Sequence, residues 1–355
     1  MLAMSDRLKS FGLGALSGTD TSWPARLTRL ATAAVEPGYA TVMRARNLLY
    51  DAGWKRSHDL GRPSISVGNL TTGGTGKTPM VDWLANRLAD AGRHPAVLLR
   101  GYGSSDGEGS DELAVLRRSL GDRVPVQANP SRVAGGTAVL ERSPEVDAFV
   151  LDDAFQHRRA KRAFDLVLIS ATNPFGYEHV LPRGLMREPP AGLRRASAVV
   201  VTRCDAVAPD RLETIVQRIR RHHSAVPIYR ADHVHSAVWF PATDTTRPIE
   251  TLSADPFFAV AGIGDPDALD QQLARHGSTY RGHRWFADHH AYASADVEQI
   301  HAAAGSARIL TTEKDWVKLA TVVAPADDRW AVLKLAVRFA GDDERRLLKQ
   351  ILAAI

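Results

Sequence analysis

The sequence predicts an α/β protein: a mostly parallel sheet flanked by helices, with a second, smaller α/β domain. Three observations predict it. Apolar runs of strand length alternate with helical patterns from residue 65 onward, the rhythm of a parallel sheet with helices on both faces. The first of these runs feeds a Gly-rich loop that opens a helix. A second strand, Gly turn and helix begin at residue 257, after a polar, Pro-containing stretch. The expected division is an N-terminal amphipathic helical segment over 1–60, a main domain over 61–235, a β-like linker over 236–256 and a smaller domain over 257–355.

The organising stretch is Ser66-Val67-Gly68-Asn69-Leu70-Thr71-Thr72-Gly73-Gly74-Thr75-Gly76-Lys77-Thr78-Pro79. Strand, Gly-rich loop, Lys-Thr and helix in that order make a P-loop NTPase-type arrangement. Backbone N–H groups of such a loop, backed by a helix N-terminus, form a concave anion site. Lys77 is placed to reach the β/γ-phosphates of ATP, and the Thr78 hydroxyl to ligate Mg2+. The strict pattern has Gly where Thr71 stands, and Gly73, Gly74 and Gly76 supply the backbone freedom instead. Thr71, Thr72, Gly73, Gly74, Thr75, Gly76, Lys77 and Thr78 are the expected ATP-binding residues. The bland alternative is an ordinary Gly-rich turn.

Composition bounds the function. The chain has 355 residues, 44% hydrophobic and 24% charged, as expected of a soluble globular protein. No apolar run approaches the roughly 20 residues of a membrane-spanning helix. The single cysteine, Cys204, excludes an internal disulfide and any multi-Cys zinc site, and a cytoplasmic location is the default. A formal net charge of +5 favours anionic partners. Residues 1–20 carry no long apolar core, do not read as a signal peptide and look mobile.

The elements follow in order. Trp23, Leu27, Leu30, Ala31 and Ala34 share one helical face, Pro37-Gly38 interrupts, and Tyr39, Val42, Met43, Leu49 and Tyr50 line a second amphipathic stretch. Arg44, Arg46, Lys55 and Arg56 lie close by. Two readings stay open: a helical pair packed on its own domain, or a basic amphipathic element on an anionic membrane surface. A strand over 96–99 ends in Arg100-Gly101-Tyr102-Gly103, placing a cation at a carboxyl edge of the sheet. An acidic loop, a helix over 113–120, a short strand over 124–127 and a helical stretch around Gly135-Gly136 come next.

The second strong feature is Ala148-Phe149-Val150-Leu151-Asp152-Asp153-Ala154-Phe155-Gln156-His157. A strand ending in Asp is what a P-loop enzyme uses to hold Mg2+ or its water. His157 with Arg158, Arg159, Lys161 and Arg162 makes a basic patch, either a solvated face or a dock for an anionic substrate. Strands over 166–169, 198–202 and 226–229 continue the sheet, and 236–240 is β-like. The run through Gly262-Ile263-Gly264-Asp265-Pro266 lacks a Lys and is not assigned a nucleotide. Asp288-His289-His290 could bind metal or shuttle protons, or form a polar turn.

Gly68-Asn69-Leu70 with the loop to Pro79, Arg100-Gly101-Tyr102-Gly103, Asp152 to His157, Leu185-Met186-Arg187-Glu188-Pro189, Gly262 to Pro266, Asp288-His289-His290 and Thr312-Glu313-Lys314-Asp315 stand in the order seen in the tetraacyldisaccharide 4'-kinases, and from about residue 40 to 320 the chain resembles that lipid A 4'-kinase family. The resemblance implies transfer of the ATP γ-phosphate to the 4'-hydroxyl of a tetraacyl glucosamine disaccharide 1-phosphate. It implies work as a peripheral protein at the cytoplasmic face of the inner membrane, with no nucleic acid and no protein partner. It implies that Thr78, Asp152 and Asp153 hold Mg2+ with Glu188 near the metal or its waters. Arg100, Gln156, His157, Arg187 and Asp288 would face phosphate or substrate. Asp111 would be the base and His289 its support, with Asp111 in the P-loop domain and His289 in the smaller one. The plain alternative is that Asp111 caps a helix beginning at Glu112. Ser110 and Ala154 stand where the family usually has Gly. The runner-up is a partitioning-type ATPase switch at a membrane surface, whose deviant P-loop carries Lys where Thr72 stands. A lipid-binding protein with a decayed P-loop is a third reading.

Overall fold

The computed structural model describes residues 11–101, 110–264, 266–288 and 290–355. Residues 1–10, Tyr102, Gly103 and His289 therefore lie outside the described residues. Contacts divide the chain into two compact units, Met1–Gly109 with Ser119–His233 and Val337–Ile355, and Ser110–Arg118 with Val234–Ala336.

The first unit opens with a helix over 11–17, where the sequence reading expects mobility. Arg29 explains the difference. Its guanidinium donates to the carbonyls of Ala15 (3.1 Å) and Asp20 (2.8 Å), and Ala15 is fully buried. Helix α1 (Trp23–Asp51) then runs unbroken through Pro37, although Pro37-Gly38 predicts an interruption. The missing proline N–H removes one ladder bond. Around it the inward face is tied down: the Tyr39 hydroxyl donates to the Arg187 carbonyl (2.8 Å), and Ala40 packs among Leu70, Phe155 and Met186.

Strand β1 (Ser64–Asn69) is buried at every position. It pairs in parallel with β4 (Ala148–Asp152) on one side and β5 (Phe164–Ser170) on the other. Outward from β4 come β2 (Pro95–Leu99) and β3 (Val126–Ala128), both parallel. Outward from β5 come β6 (Ala198–Thr202) and the first residues of β7 (Ile228–Phe240), also parallel. A strand covered on both faces must read as a near-continuous apolar run, and these do. Helix α2 (Lys77–Asp90) buries Met80, Val81, Leu84, Ala85 and Leu88 against β1, β2 and β4, one stripe at helical spacing.

Two boundaries differ from those the composition suggests. The stretch 241–256 is not a plain linker, because β7 continues to Phe240 and pairs antiparallel with β8 (Thr245–Pro248). The C-terminal helix, Asp343–Leu352, belongs to the first unit. There Glu344 accepts from the Trp83 indole (2.9 Å) and Gln350 from the Tyr229 hydroxyl (2.9 Å).

In the second unit β9 (Phe257–Ala261) lies between β10 (Tyr280–Trp285) and β11 (Arg308–Thr312), and β11 pairs with β12 (Trp330–Phe339), all parallel. Two apolar clusters pack the sheet, one around Trp316 and Trp330, the other around Phe257, Leu269 and Leu273. Ser110 and helix α3 (Asp111–Leu120) as far as Arg118 belong to this unit, whereas the sequence places them in the P-loop domain.

Gly68 fixes how close the turn after β4 comes to β1. A Cβ there would sit 2.6 Å from Phe155 Cβ and 2.7 Å from Phe155 N. Gly68→Val should therefore destabilise the protein by about 1–3 kcal/mol through overpacking, read as a lowered midpoint in chemical denaturation. An unchanged midpoint would show that the Phe155 turn can move away.

Candidate active site

Parallel pairing brings the site together. Val67 is in register with Asp152 and with Leu166. The loop after β1 and the carboxylates after β4 therefore emerge at one carboxyl edge, where α/β sheets bind ligands. The loop takes positive φ at Gly73 (110°) and Gly76 (84°), which suits glycine alone. At Gly76 the constraint is double, since a Cβ would lie 1.9 Å from the ring of His233.

Side chains set the loop from below. The Asn69 amide donates to Thr75 Oγ1 (2.8 Å), and the Thr202 hydroxyl to the Thr75 carbonyl (3.1 Å). The Thr72 N–H donates to the Leu185 carbonyl (2.7 Å), and the Arg187 N–H to that of Leu70 (2.7 Å). The segment 185–187 thus lies along the loop and carries the Arg187 side chain in with it.

Asp153 is the electrostatic centre. It adopts φ 48°, a left-handed turn that Asp tolerates better than most residues. Arg187 Nη1 donates to both its oxygens (2.7 and 2.8 Å), and Lys77 Nζ stands 3.8 Å away. Burial opposes the carboxylate's charge, but Lys77 and Arg187 outweigh it and hold the carboxyl below its usual range. Asp152, buried, ends β4, and the buried Arg132 donates to its carbonyl (2.7 Å).

Glu188 has a different setting from the one the resemblance implies. It is fully buried. Arg195 Nη2 donates to both its oxygens (2.9 Å each), Asn47 to Oε2 (2.9 Å) and Gln156 to Oε1 (2.8 Å). Its oxygens are committed to protein donors, and it ties α1, the turn after Asp153 and the loop at 188–195 together. Among the described residues no group of three or more His, Cys, Asp or Glu stands ready for a metal.

His157 faces Arg132, Arg100, Arg162 and Arg46. Burial first, and then these cations, push its pKa down to about 4, so it is neutral at pH 7. The exposed Arg100 directly follows β2.

The second unit holds the remaining expected residues. Asp111 is not the cap of its helix. Ser110, buried, accepts from the Leu113 N–H (3.2 Å), which makes Ser110 the cap and explains a serine there. Asp111 opens the first turn and pairs with Lys318 (3.2 Å). Asp288 pairs with Lys314 (3.0 Å).

Sequence reasoning did not find Asn47, Arg132, Arg195 or His233. Each comes from an element whose own pattern carries no chemical signal. An Arg at a helix start, Arg132, reads as solvated until the fold buries it.

The residues suit ATP: a positive-φ glycine loop at a helix N-terminus, with Lys77 at its end, is an anion cradle. Thr78, Asp152 and Asp153 are hard oxygen donors of the kind Mg2+ takes. Fold and site define a P-loop nucleotide-dependent phosphotransferase. Residues 29–355 match the family model described as tetraacyldisaccharide-1-P 4'-kinase, and the chain belongs to that family. A tetraacyldisaccharide 4'-kinase of Anaeromyxobacter dehalogenans is 36% identical over 90% of this chain and 91% of its own length. One from Geobacter metallireducens is 37% identical over 84% of this chain and 91% of its own. The crystal structure of LpxK from Aquifex aeolicus in complex with ATP is 26% identical, with TM-score 0.74, covering 92% of this chain and 99% of that one. The partitioning-type ATPase reading is not favoured.

The His157 environment has a pH consequence. Its folded pKa of about 4 lies below the ordinary 6.5, so the unfolded chain takes up the proton first as pH falls. The stability this contributes is full above about 6.5 and is lost as pH drops towards 4. Denaturation midpoints of wild type should fall more steeply across that window than those of His157→Gln. Parallel profiles would show that His157 does not titrate in this way.

Proposed function

We propose that the chain carries out its family's transfer, from the γ-phosphate of ATP to the 4'-hydroxyl of a tetraacylated glucosamine disaccharide 1-phosphate, with Mg2+ and at the cytoplasmic face of the inner membrane. The observation that supports this best is the P-loop whose Lys77 stands beside Asp153 at the carboxyl edge of β1 and β4. Residues 71–78 bind the phosphates through Lys77 and through N–H groups other than those of Thr72 and Thr75, which donate within the protein. Thr78, Asp152 and Asp153 hold the cation, with Glu188 behind them as the group that fixes Gln156 and Asn47. When bound, Mg2+ neutralises charge on the phosphates. Arg187 and Arg100 orient phosphoryl oxygens, Gln156 and neutral His157 contact the acceptor, and Asp288 flanks the expected His289. Asp111 accepts the hydroxyl proton as the sugar oxygen bonds to phosphorus and the bond to the ADP oxygen breaks.

Helix α1 supports the membrane assignment. Its inward face carries Glu36, Tyr39, Ala40 and Asn47. The opposite side leaves Trp23, Leu27, Leu30, Val42 and Leu48 between 55% and 73% exposed, with Arg26 and Arg44 also exposed. Apolar surface flanked by arginine suits the interface of an anionic bilayer. No described helix is long and apolar enough to cross a membrane. Both alternatives raised by the sequence thus have a face of this helix.

Two measurements test the assignment. With radiolabelled ATP, Mg2+ and disaccharide 1-phosphate in detergent, Lys77→Ala should lose transfer by orders of magnitude while staying folded; near-wild-type turnover would remove the P-loop role. Leu27→Ser with Leu30→Ser should weaken co-sedimentation with anionic vesicles and leave turnover on detergent-dispersed substrate intact. Undiminished vesicle binding would end the docking role of this face.

A further inference from the structure

The run Thr312-Glu313-Lys314-Asp315 is the sequence motif that the nucleotide site leaves unused. It joins β11 to the short helix α4 (Glu313–Leu319), and every one of its polar side chains is engaged within the second unit. Thr312 Oγ1 accepts from the Asp315 N–H (3.2 Å) and donates to Asp315 Oδ2 (2.6 Å). Asp315 is fully buried, and its Oδ1 also accepts from the Gly262 N–H (3.1 Å) and the Tyr292 hydroxyl (3.0 Å). Burial, and then the charge of Asp315, push the Tyr292 hydroxyl well up, so it remains a donor. A buried carboxylate with its donors in place is rigid. It locks the start of α4 to the end of β9 and to Tyr292, four residues beyond Asp288.

From this fixed helix two lysines, Lys314 and Lys318, project four residues apart and so on one face. Lys318 Nζ lies 3.2 Å from Asp111 Oδ2, and Lys314 Nζ lies 3.0 Å from Asp288 Oδ1. Glu313 takes the other end of α3, 3.8 Å from Arg118 Nη2, and pairs with Lys334 at 3.7 Å. The Arg118 guanidinium also lies over Trp239 at 4.0 Å. Helix α3 is thus held by α4 at both ends. The Lys318–Asp111 pair is sheltered, its side chains 21% and 16% exposed, so salt and side-chain entropy weaken it less than an open surface pair.

We propose that α4 is the positioning element for the transfer base. Lys318 is a positioning residue that fixes the orientation of the Asp111 carboxylate, and Lys314 does the same for Asp288. The inference rests on Asp111 being the base. A carboxylate can swing about two side-chain torsions, and proton acceptance needs it within hydrogen-bond reach of the hydroxyl. An error of an ångström in such placement can cost as much as ~100-fold. A cation anchored on a rigid helix removes that freedom.

The test uses the full chain with Mg-ATP and disaccharide 1-phosphate in detergent. Wild type, Lys318→Met, Lys318→Arg, Asp111→Asn and the Asp111→Asn, Lys318→Met double variant are compared for kcat, both KM values and thermal midpoint. Lys318→Met should lower kcat by about tenfold or more with the KM for ATP unchanged, and Lys318→Arg should recover most of the rate. The double variant should be no slower than Asp111→Asn alone, because Lys318 acts through that carboxylate. Should Lys318→Met unfold, Lys318→Gln, which keeps a polar side chain, takes its place. Wild-type kcat in the Met or Gln variant, or losses that multiply in the double variant, would overturn the positioning role. Asp111→Asn with normal turnover would instead overturn the base itself, and the positioning role with it. An inactive Asp111→Asn beside a fully active Lys318→Met would sink the positioning role alone.

Discussion

The nucleotide unit depends on one buried carboxylate. Glu188 is fully enclosed and takes hydrogen bonds from Arg195, Asn47 and Gln156. An ionised carboxylate out of water is costly unless its partners are in place, so these elements must arrive together. Asn47 brings α1. Gln156, which also donates to the Asn69 carbonyl (2.8 Å), brings the turn after Asp152 and Asp153 to the end of β1. Arg187, next in the chain, then clamps Asp153. Gly192 marks how tight the packing is: a Cβ there would fall 2.5 Å from Glu188 Oε2. A residue expected near a metal is in this structure the keystone of the loops around it.

What could be read from the sequence follows from how local each signal is. The strand, loop and helix from Ser66 to Leu88 lie within one stretch, and the structure keeps every part in place. The carboxylates after β4 needed one further inference, that β1 and β4 are neighbours, and the register of Val67 with Asp152 supplies it. Helix α1 was misread at Pro37 because a local rule about proline met a tertiary fact, the anchoring of Tyr39 and Ala40 on the core. Helix α3 was misassigned for the same reason. Nothing in its ten residues tells that Asp111 and Arg118 have their partners on α4, some 200 positions away in the chain.

The Ser110 and Ala154 departures from the family pattern have physical readings. A glycine before Asp111 would leave the helix start to backbone freedom alone, whereas Ser110 supplies an acceptor for the Leu113 N–H, worth about 1 kcal/mol as a cap. At Ala154 no positive φ is required, because the left-handed residue of that turn is Asp153. The methyl of Ala154 is buried beside Leu151 and Phe149, so alanine adds contact there without strain.

Helix α1 carries two faces of different chemistry. At 100° per residue, Glu36, Ala40, Asn47 and Asp51 fall within one sector, and all but Ala40 reach loops of the site with polar atoms. Trp23, Leu27, Leu30 and Leu48 fall in a separate sector, roughly a third of a turn away. A helix needs only one apolar face to join a soluble core, and this one joins through polar contacts, Tyr39 and the small Ala25 and Ala40. Its larger apolar side chains are left outward, where water makes them costly and an acyl layer would not. The same Asn47 that completes the Glu188 pocket fixes the angle at which that outward face is presented. The orientation of the apolar stripe and the closure of the loops around Asp153 are therefore set by one set of hydrogen bonds.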